Sequence, residues 1–274
     1  MFNKIKLSTI LLFVFFYGCS FLGVKKNTIR IKGSDTMKRL VTVLAEEYMK
    51  ENNDVYINVS GGGSAEGIEA LIKGEIDICN SSRPMKAEEI EKLARLYNKM
   101  GLSYLIGKDA VVIYLNKNNP VSSLSLSDVK NIYECKIKKW SEIGGDSEKI
   151  KIATRNRFSG TRLFFRERFL DGEQICSDDY VFSTTREIIN FVENNKDAIG
   201  YGGYGFKGNI NFAKINSVFP NLITIRNDKY PVTRYLHFYT IDEPGGDVKA
   251  FINWVISEEG QKIIESEGFI SIWK

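Results

Sequence analysis

Residues 28–48 of the chain read TIRIKGSDTMKRLVTVLAEEY, and this stretch decides the fold. Polar and apolar side chains alternate over residues 28–32, as they do in a β-strand, and Gly33 ends the alternation. From Met37 to Tyr48 the apolar residues recur at intervals of three and four, which places them on one face of a helix. The stretch therefore predicts a strand, a polar turn and a helix in immediate succession.

The same unit recurs along the chain. Strand-like residues 55–59 and 76–80 are each followed by a polar turn and an amphipathic helix, and a further unit begins at Ile150. Residues 110–115 are continuously apolar, which indicates a buried strand. Strands that alternate with helices of this length predict an α/β fold with a largely parallel sheet.

Composition and charge exclude several classes of protein. The chain has 274 residues, of which 43% are hydrophobic and 26% are charged, so it can form one large or two ordinary globular domains. Its formal net charge of +4 falls to +2 without residues 1–18, which carry only Lys4 and Lys6, and no dense basic stripe indicates a nucleic-acid partner. The only histidine, His237, excludes a site built on several histidines. We expect neither a metal nor a cofactor.

The N-terminal residues predict export. Lys4 and Lys6 precede an apolar run over residues 10–17. A short basic region before an apolar stretch of this length has the form of a signal peptide. The run is too short for a transmembrane helix, which needs about 20 residues.

The residues after this run resemble the lipobox of bacterial lipoproteins. A small residue, Gly18, stands directly before Cys19, although Phe16 occupies a position where those proteins usually have Leu. The resemblance implies a signal peptide over residues 1–18, lipidation of Cys19 and a tether over residues 19–27. The folded part would then be anchored to the periplasmic face of the cell membrane. An ordinary secretory signal and an uncleaved anchor are the alternatives.

Three further cysteines follow, at positions 79, 135 and 176. An odd number allows at most one disulfide and leaves a free thiol, and the absence of a C-x-x-C pair argues against a metal or redox site. Two interpretations stay open: a disulfide between Cys135 and Cys176, or three buried cysteines that act as small apolar residues.

The strand–turn–helix junctions carry most of the chemistry that the sequence offers. Three of the turns are rich in Gly, Ser and Thr, and a fourth combines Ser with Arg. A helix N-terminus presents unpaired N–H groups to an anion, glycine lets the backbone approach it, and hydroxyls add donors. Helix capping explains one such turn, but four turns at the carboxyl ends of strands predict a cage of donors for an oxyanion.

Six motifs resemble the phosphate-binding protein of bacterial phosphate ABC transporters, a periplasmic solute-binding protein. They are Gly33–Met37, Gly62–Ser64, Ser81–Pro84, Lys138–Gly145, Arg155–Thr161 and Glu259–Ile264. The resemblance runs from about residue 28 to the C-terminus, in the family's order and spacing. It implies a type II periplasmic-binding-protein fold, in which two α/β lobes are joined by two crossing strands. Lobe one would comprise residues 28–110 and 235–274, and lobe two residues 111–234.

The resemblance also implies a set of phosphate ligands. They are Ser34, Asp35, Thr36, Met37, Ser64 and Ser82 on lobe one and Arg155, Ser159, Gly160 and Thr161 on lobe two. Thr36 and the backbone of Met37 would bind phosphate oxygens at the start of the first helix, and Arg155 would supply the positive charge.

Ser82 departs from part of that family, in which an aspartate at this position accepts the proton of hydrogen phosphate. The nearest acid by sequence is Asp35, which either takes over this role or caps the first helix. Both interpretations stay open at this point.

The function that the resemblance implies is that of a receptor. It would bind inorganic phosphate outside the cytoplasmic membrane, as a monomer, and deliver it to an ABC transporter permease. We expect no catalysis, because the sequence shows no nucleophile with a neighbouring base. The alternatives are a receptor for another oxyanion, such as sulfate, and a secreted phosphoester hydrolase, which would need a metal or a base that the sequence does not show.

Overall fold

A computed structural model describes residues 27–273 of the chain. The strands are β1 (Asn27–Gly33), β2 (Val55–Ser60), β3 (Ile78–Ser81), β4 (Leu102–Asn116), β5 (Ser123–Leu124), β6 (Lys151–Arg155), β7 (Tyr180–Phe182), β8 (Ala198–Gly203), β9 (Ile210–Phe212), β10 (Lys214–Ile215) and β11 (Thr233–Thr240). The helices are α1 (Asp35–Glu51), α2 (Ser64–Ile72), α3 (Ala87–Tyr97), α4 (Leu126–Tyr133), α5 (Gly160–Phe169), α6 (Thr185–Glu193), α7 (Leu222–Arg226), α8 (Gly246–Ile256) and α9 (Glu258–Ser266), with a 3-10 turn at Trp140–Ile143. The predicted alternation of strands and helices is confirmed.

The strands form one continuous hydrogen-bonded path in the order β2-β1-β3-β11-β4-β8-β6-β7, with β9 also paired to β4. Both ends of the path are parallel, as predicted: β1 pairs with β2 and β3, and β6 pairs with β7 and β8. The middle is antiparallel, because β11 runs against both β3 and β4, and β4 runs against β8.

Two large apolar cores lie on opposite sides of this antiparallel middle, and a smaller cluster around Leu71 and Leu93 adjoins α2 and α3. The first includes Ile29, Met37, Ile106, Phe238 and Phe251, and the second includes Val111, Tyr133, Phe165, Ile189 and Tyr201. We call the two halves the first lobe, with β1–β3, α1–α3, α8 and α9, and the second lobe, with β5–β10 and α4–α7. The fold is the two-lobed α/β fold that was expected.

Strands β4 and β11 connect the lobes. In β4, Ile106 packs in the first core, whereas the whole of residues 110–115 packs in the second. Before β11, Val232 belongs to the second core, and Leu236 belongs to the first. The lobe boundaries after residues 110 and 234 stay a prediction.

The structure decides between the two cysteine interpretations. Cys135 and Cys176 form a disulfide, with their Cα atoms 5.8 Å apart, which ties the end of α4 to the segment after α5. Cys79 is a buried free thiol in β3.

The export signals predicted from the sequence lie outside the described residues. They are the signal peptide, Cys19 and the tether up to residue 26. Within residues 27–273, no helix is long and apolar enough to cross a membrane.

Candidate functional site

The predicted turns come together between the two lobes. Helices α1 and α2 of the first lobe and α5 of the second all begin there, each at the carboxyl end of a strand. Nine of the ten predicted site residues are buried, namely Ser34, Thr36, Met37, Ser64, Ser82, Arg155, Ser159, Gly160 and Thr161. The tenth, Asp35, has a side chain that is 15% exposed. The predicted residues therefore form one buried group.

Three serine hydroxyls of the first lobe form a cluster. Ser34 Oγ donates to Ser82 Oγ at 3.0 Å, and Ser64 Oγ lies 3.4 Å from the same oxygen. Ser64 Oγ also accepts the backbone N–H of Ser82 at 3.2 Å. Two turns of the sequence thus place their hydroxyls within hydrogen-bonding distance of the hydroxyl of a third turn.

The second lobe closes directly onto this cluster. Thr36 Oγ1 and Thr161 Oγ1 share a hydrogen bond of 2.9 Å across the lobes. A Cβ atom added to Gly160 would lie 2.7 Å from Ser64 Cβ and 3.0 Å from Ser82 Oγ. Only a residue without a side chain fits between the lobes at this point.

A second glycine is needed on the facing turn. Gly63 adopts a φ of 105°, which L-residues rarely adopt, and an added Cβ would lie 2.5 Å from the carbonyl oxygen of Phe158. Ala65, two residues further along the chain, donates its backbone N–H to the same carbonyl at 3.4 Å. The first and second lobes therefore meet through backbone as well as through hydroxyls.

Arg155 brings a positive charge to the site from the end of β6. Its side chain is 1% exposed, and its Nη2 donates to the Ser183 carbonyl at 2.6 Å and to Asp35 Oδ2 at 3.2 Å. Its Nη1 donates to the Thr185 hydroxyl at 3.0 Å, whereas its buried Nε has no partner among the described residues. Burial lowers the pKa of Arg155 and the Asp35 carboxylate opposes this, but an arginine remains charged in proteins.

Asp35 makes its contacts across the site and does not cap α1. Its Oδ1 accepts the backbone N–H of Gly62 at 3.0 Å, and its Oδ2 accepts from Arg155. Ser34 occupies the N-cap position of α1, and no side chain caps the helix there. A role for Asp35 as the acceptor of a phosphate proton stays a prediction.

Two predicted ligands form hydrogen bonds with neighbours in their own turn or helix. The backbone N–H of Met37 donates to the Ser34 carbonyl at 3.0 Å, and the Met37 side chain lies in the first core. Ser159 Oγ caps α5 by accepting the backbone N–H of Arg162 at 3.2 Å. Their roles as phosphate ligands stay predictions.

A buried ion pair beside the site was not predicted from the sequence. Arg234 of β11 donates to Asp109 Oδ2 of β4 through Nε at 3.0 Å and Nη2 at 2.7 Å. Its Nη1 reaches Thr161 Oγ1 at 3.0 Å and the Ser82 carbonyl at 3.4 Å. A signal was present, because Arg234 falls on the same strand alternation as the core residues Leu236 and Phe238, where an unpaired charge would be costly.

The site is formally neutral. Arg155 is matched by Asp35, and Arg234 by Asp109, at 3.2 and 2.7 Å. An anion there would be held by hydroxyls, backbone N–H groups, helix N-termini and guanidinium donors, without an excess of positive charge. Within residues 27–273, no group of His, Cys, Asp and Glu is arranged to hold a metal ion.

Known proteins share both the sequence pattern and the fold. The family described as the PBP superfamily domain matches residues 23–259. Phosphate-binding protein PstS of Staphylococcus epidermidis is 32% identical, over 90% of this chain and 79% of that protein, and PstS of Bacillus subtilis is 30% identical, over 89% and 81%. The crystal structure of a putative phosphate ABC transporter substrate-binding protein with bound phosphate, from Clostridium perfringens, superposes with a TM-score of 0.82 at 28% identity, over 90% of this chain and all of that one. The chain therefore belongs to the PBP superfamily and, within it, to the family of the phosphate-binding proteins PstS.

Proposed function

We propose that this protein binds inorganic phosphate between its two lobes and delivers it to the permease of an ABC transporter. One observation carries the proposal: hydroxyls from four separate turns and two arginines converge at one buried point between the lobes. The relatives named PstS and the neighbour with bound phosphate support phosphate as the ligand.

The binding energy would come from several charge-assisted hydrogen bonds. Each contributes roughly 1.5–3 kcal/mol. A micromolar dissociation constant corresponds to about −8 kcal/mol. A few such bonds therefore reach this value after the cost of ordering the lobes is subtracted. The ligands would be the ten predicted residues, and Arg234 would join them through the Nη1 that now donates to Thr161.

Two lobes that share the ligands must close to complete the site. Under the proposed boundaries, with residues 28–110 and 235–274 in lobe one and 111–234 in lobe two, Thr36 and Thr161 approach each other on closure. Small-angle scattering should give a smaller radius of gyration with phosphate than without it. An identical scattering profile in both states would contradict a closing cleft.

The second candidate ligand is another oxyanion, such as sulfate, because the donors of the neutral site are also compatible with such an anion. Hydrogen phosphate offers a proton that sulfate lacks, so a carboxylate at the right place distinguishes the two anions. Asp35 is the carboxylate that we propose for this role, and its Oδ2 lies 3.2 Å from Arg155 Nη2. Isothermal titration of phosphate, followed by competition with sulfate and a phosphoester and by product analysis, would separate the candidates. Preference for sulfate, or turnover of the ester, would contradict the proposal.

The structure contains a pair of a hydroxyl and an imidazole, but this pair does not support hydrolase activity. Ser103 Oγ lies 2.9 Å from His237 Nδ1 on neighbouring strands. Burial lowers the pKa of His237 to about 4, which makes it a weak base, and no described carboxylate hydrogen-bonds to the ring. The relatives are binding components of transport, and we propose the same non-enzymatic role here.

Export, lipid attachment at Cys19 and a monomeric state complete the proposal. Metabolic labelling with a fatty acid should label the wild-type protein and not a Cys19→Ala variant. Gel filtration with light scattering should give the mass of one chain.

A further inference from the structure

A basic crevice opens beside the interlobe site, and we call it the outer crevice. Its volume is about 220 Å³, and residues of both lobes line it. The charged residues among them are Arg83, Lys86 and Glu89 of the first lobe and Arg157, Arg162 and Arg166 of the second. The lining of the crevice therefore contains five basic side chains and one carboxylate.

Part of this charge is neutralised. Arg83 binds Glu89 through two hydrogen bonds of 2.8 and 2.7 Å. Arg162 Nη2 pairs with Asp178 at 3.0 Å, and its Nη1 donates to a backbone carbonyl. These two arginines help to hold the walls of the crevice in place.

The other three cations form an excess of positive charge. Arg157 is exposed, lies 5.0 Å from the Phe158 ring and has no carboxylate within salt-bridge distance in the described part of the chain. Arg166 donates only to backbone carbonyls in its own neighbourhood. Lys86 reaches only the exposed Glu88, at 3.5 Å.

One buried donor of the crevice lining lacks a partner among the described residues. The Arg83 side chain is 2% exposed, and its Nε has no hydrogen-bond partner among residues 27–273. Buried N–H groups are nearly always paired in folded proteins, so this residue of the crevice lining has one donor left over for a further acceptor.

The outer crevice is next to the candidate site. Ala65 and Ser159 line it, and their chain neighbours Ser64 and Gly160 belong to the interlobe contact. The hydrogen bond between the Ala65 N–H and the Phe158 carbonyl, at 3.4 Å, joins the two lobes at the outer crevice. Opening of the lobes would break this bond.

We propose that the outer crevice is a capture site for phosphate on its way into the interlobe site. The inference rests on the proposed function and adds a division of tasks to it. The neutral inner site holds the anion, whereas Arg157 and Arg166, which form no salt bridge within residues 27–273, and the exposed Lys86 attract it. Electrostatic attraction of this kind raises association rates and weakens steeply with ionic strength.

Stopped-flow kinetics of phosphate binding test the inference. The test variant is Lys86→Gln/Arg157→Gln, because both side chains are exposed and lie outside the interlobe contacts. The matched control is Lys138→Gln/Lys149→Gln, which removes the same charge from exposed lysines on another groove. At about 20 mM salt, the test variant should associate roughly 3- to 10-fold more slowly than wild type, with an unchanged dissociation rate. At about 0.5 M salt, the two should associate at the same rate.

Three results would overturn the inference while phosphate binding itself remains intact. They are an unchanged association rate in the test variant, an equal decrease in the control, and an effect confined to dissociation. A wild-type protein that does not bind phosphate would instead refute the proposed function, and the capture role would be refuted with it.

Discussion

Replacing Gly160 by Ala should block closure of the lobes without disturbing either lobe by itself. Gly160 is the first residue of α5, and it has no φ in the left-handed region, so alanine suits its backbone. The added methyl group would collide with the side chain of Ser64 and contact Ser82 Oγ at 3.0 Å. Both neighbours belong to the other lobe, so the collision exists only when the lobes are closed.

The size of the effect follows from the geometry. The Ser64 side chain is fully buried, and its Oγ accepts the Ser82 N–H, so it cannot rotate away without losing that bond. Forcing an extra methyl group into a packed region costs about 1–3 kcal/mol. Since 1.4 kcal/mol changes an equilibrium tenfold, phosphate affinity should fall by roughly 5- to 150-fold.

Isothermal titration calorimetry measures the affinity, and thermal unfolding of the ligand-free protein measures the stability. We expect weaker binding with an unchanged or slightly raised unfolding temperature, because alanine is a better helix residue than glycine. Gly245→Ala is the control, since no heavy atom lies within 4 Å of the added Cβ and its φ is not in the left-handed region. Wild-type affinity in Gly160→Ala would refute the closed arrangement described above.

Other predictions address single groups. Arg155→Ala removes a buried donor of the site and leaves Asp35 without its ion pair, so calorimetry should show at least tenfold weaker phosphate binding by a protein that circular dichroism still finds folded. Asp35→Asn keeps the shape of the side chain but can also donate, so phosphate affinity should fall and the preference over sulfate should narrow; an unchanged preference would exclude Asp35 as the proton acceptor. Removal of the disulfide by Cys135→Ser and Cys176→Ser should lower the free energy of unfolding by about 2–4 kcal/mol in urea titrations, because the disulfide closes a loop between positions that are 41 residues apart. Burial lowers the pKa of His237 to about 4, so between pH 6.5 and 4 the unfolded chain binds a proton that the folded one does not. Urea titrations should therefore show that the free energy of unfolding falls by up to about 3 kcal/mol as the pH is lowered over this range. The decrease should be smaller in the His237→Gln variant.

The elements that the sequence predicted well are those set by local periodicity. Helix α1 was predicted from the apolar spacing between Met37 and Tyr48, and it extends over Asp35–Glu51 in the structure. The turn before it could also be recognised, because Gly33 and the polar residues after it end the strand and start the helix within four residues.

Strand β4 was predicted too short for a physical reason. Only residues 110–115 are continuously apolar, yet the strand begins at Leu102. Lys108 and Asp109 interrupt the apolar pattern, although both are buried, because each finds a partner distant in sequence. Lys108 pairs with Asp228 at 2.7 Å, and Asp109 pairs with Arg234 at 2.7 Å. A pattern along one strand cannot show that a charge is neutralised by another element.

The ion pair between Arg234 and Asp109 explains how the inner site can be neutral and still favour an anion. Its carboxylate is bound by Nε and Nη2 of Arg234, which leaves Nη1 directed to Thr161 and Ser82. The Asp109 charge thus fixes the guanidinium, and the remaining N–H donors face the interlobe contact. Positive charge in excess would bind any anion, whereas oriented donors of fixed number accept only an anion whose oxygens and proton match them. Attraction over a distance must then come from charges outside this neutral site, and the excess of cations in the outer crevice can exert it.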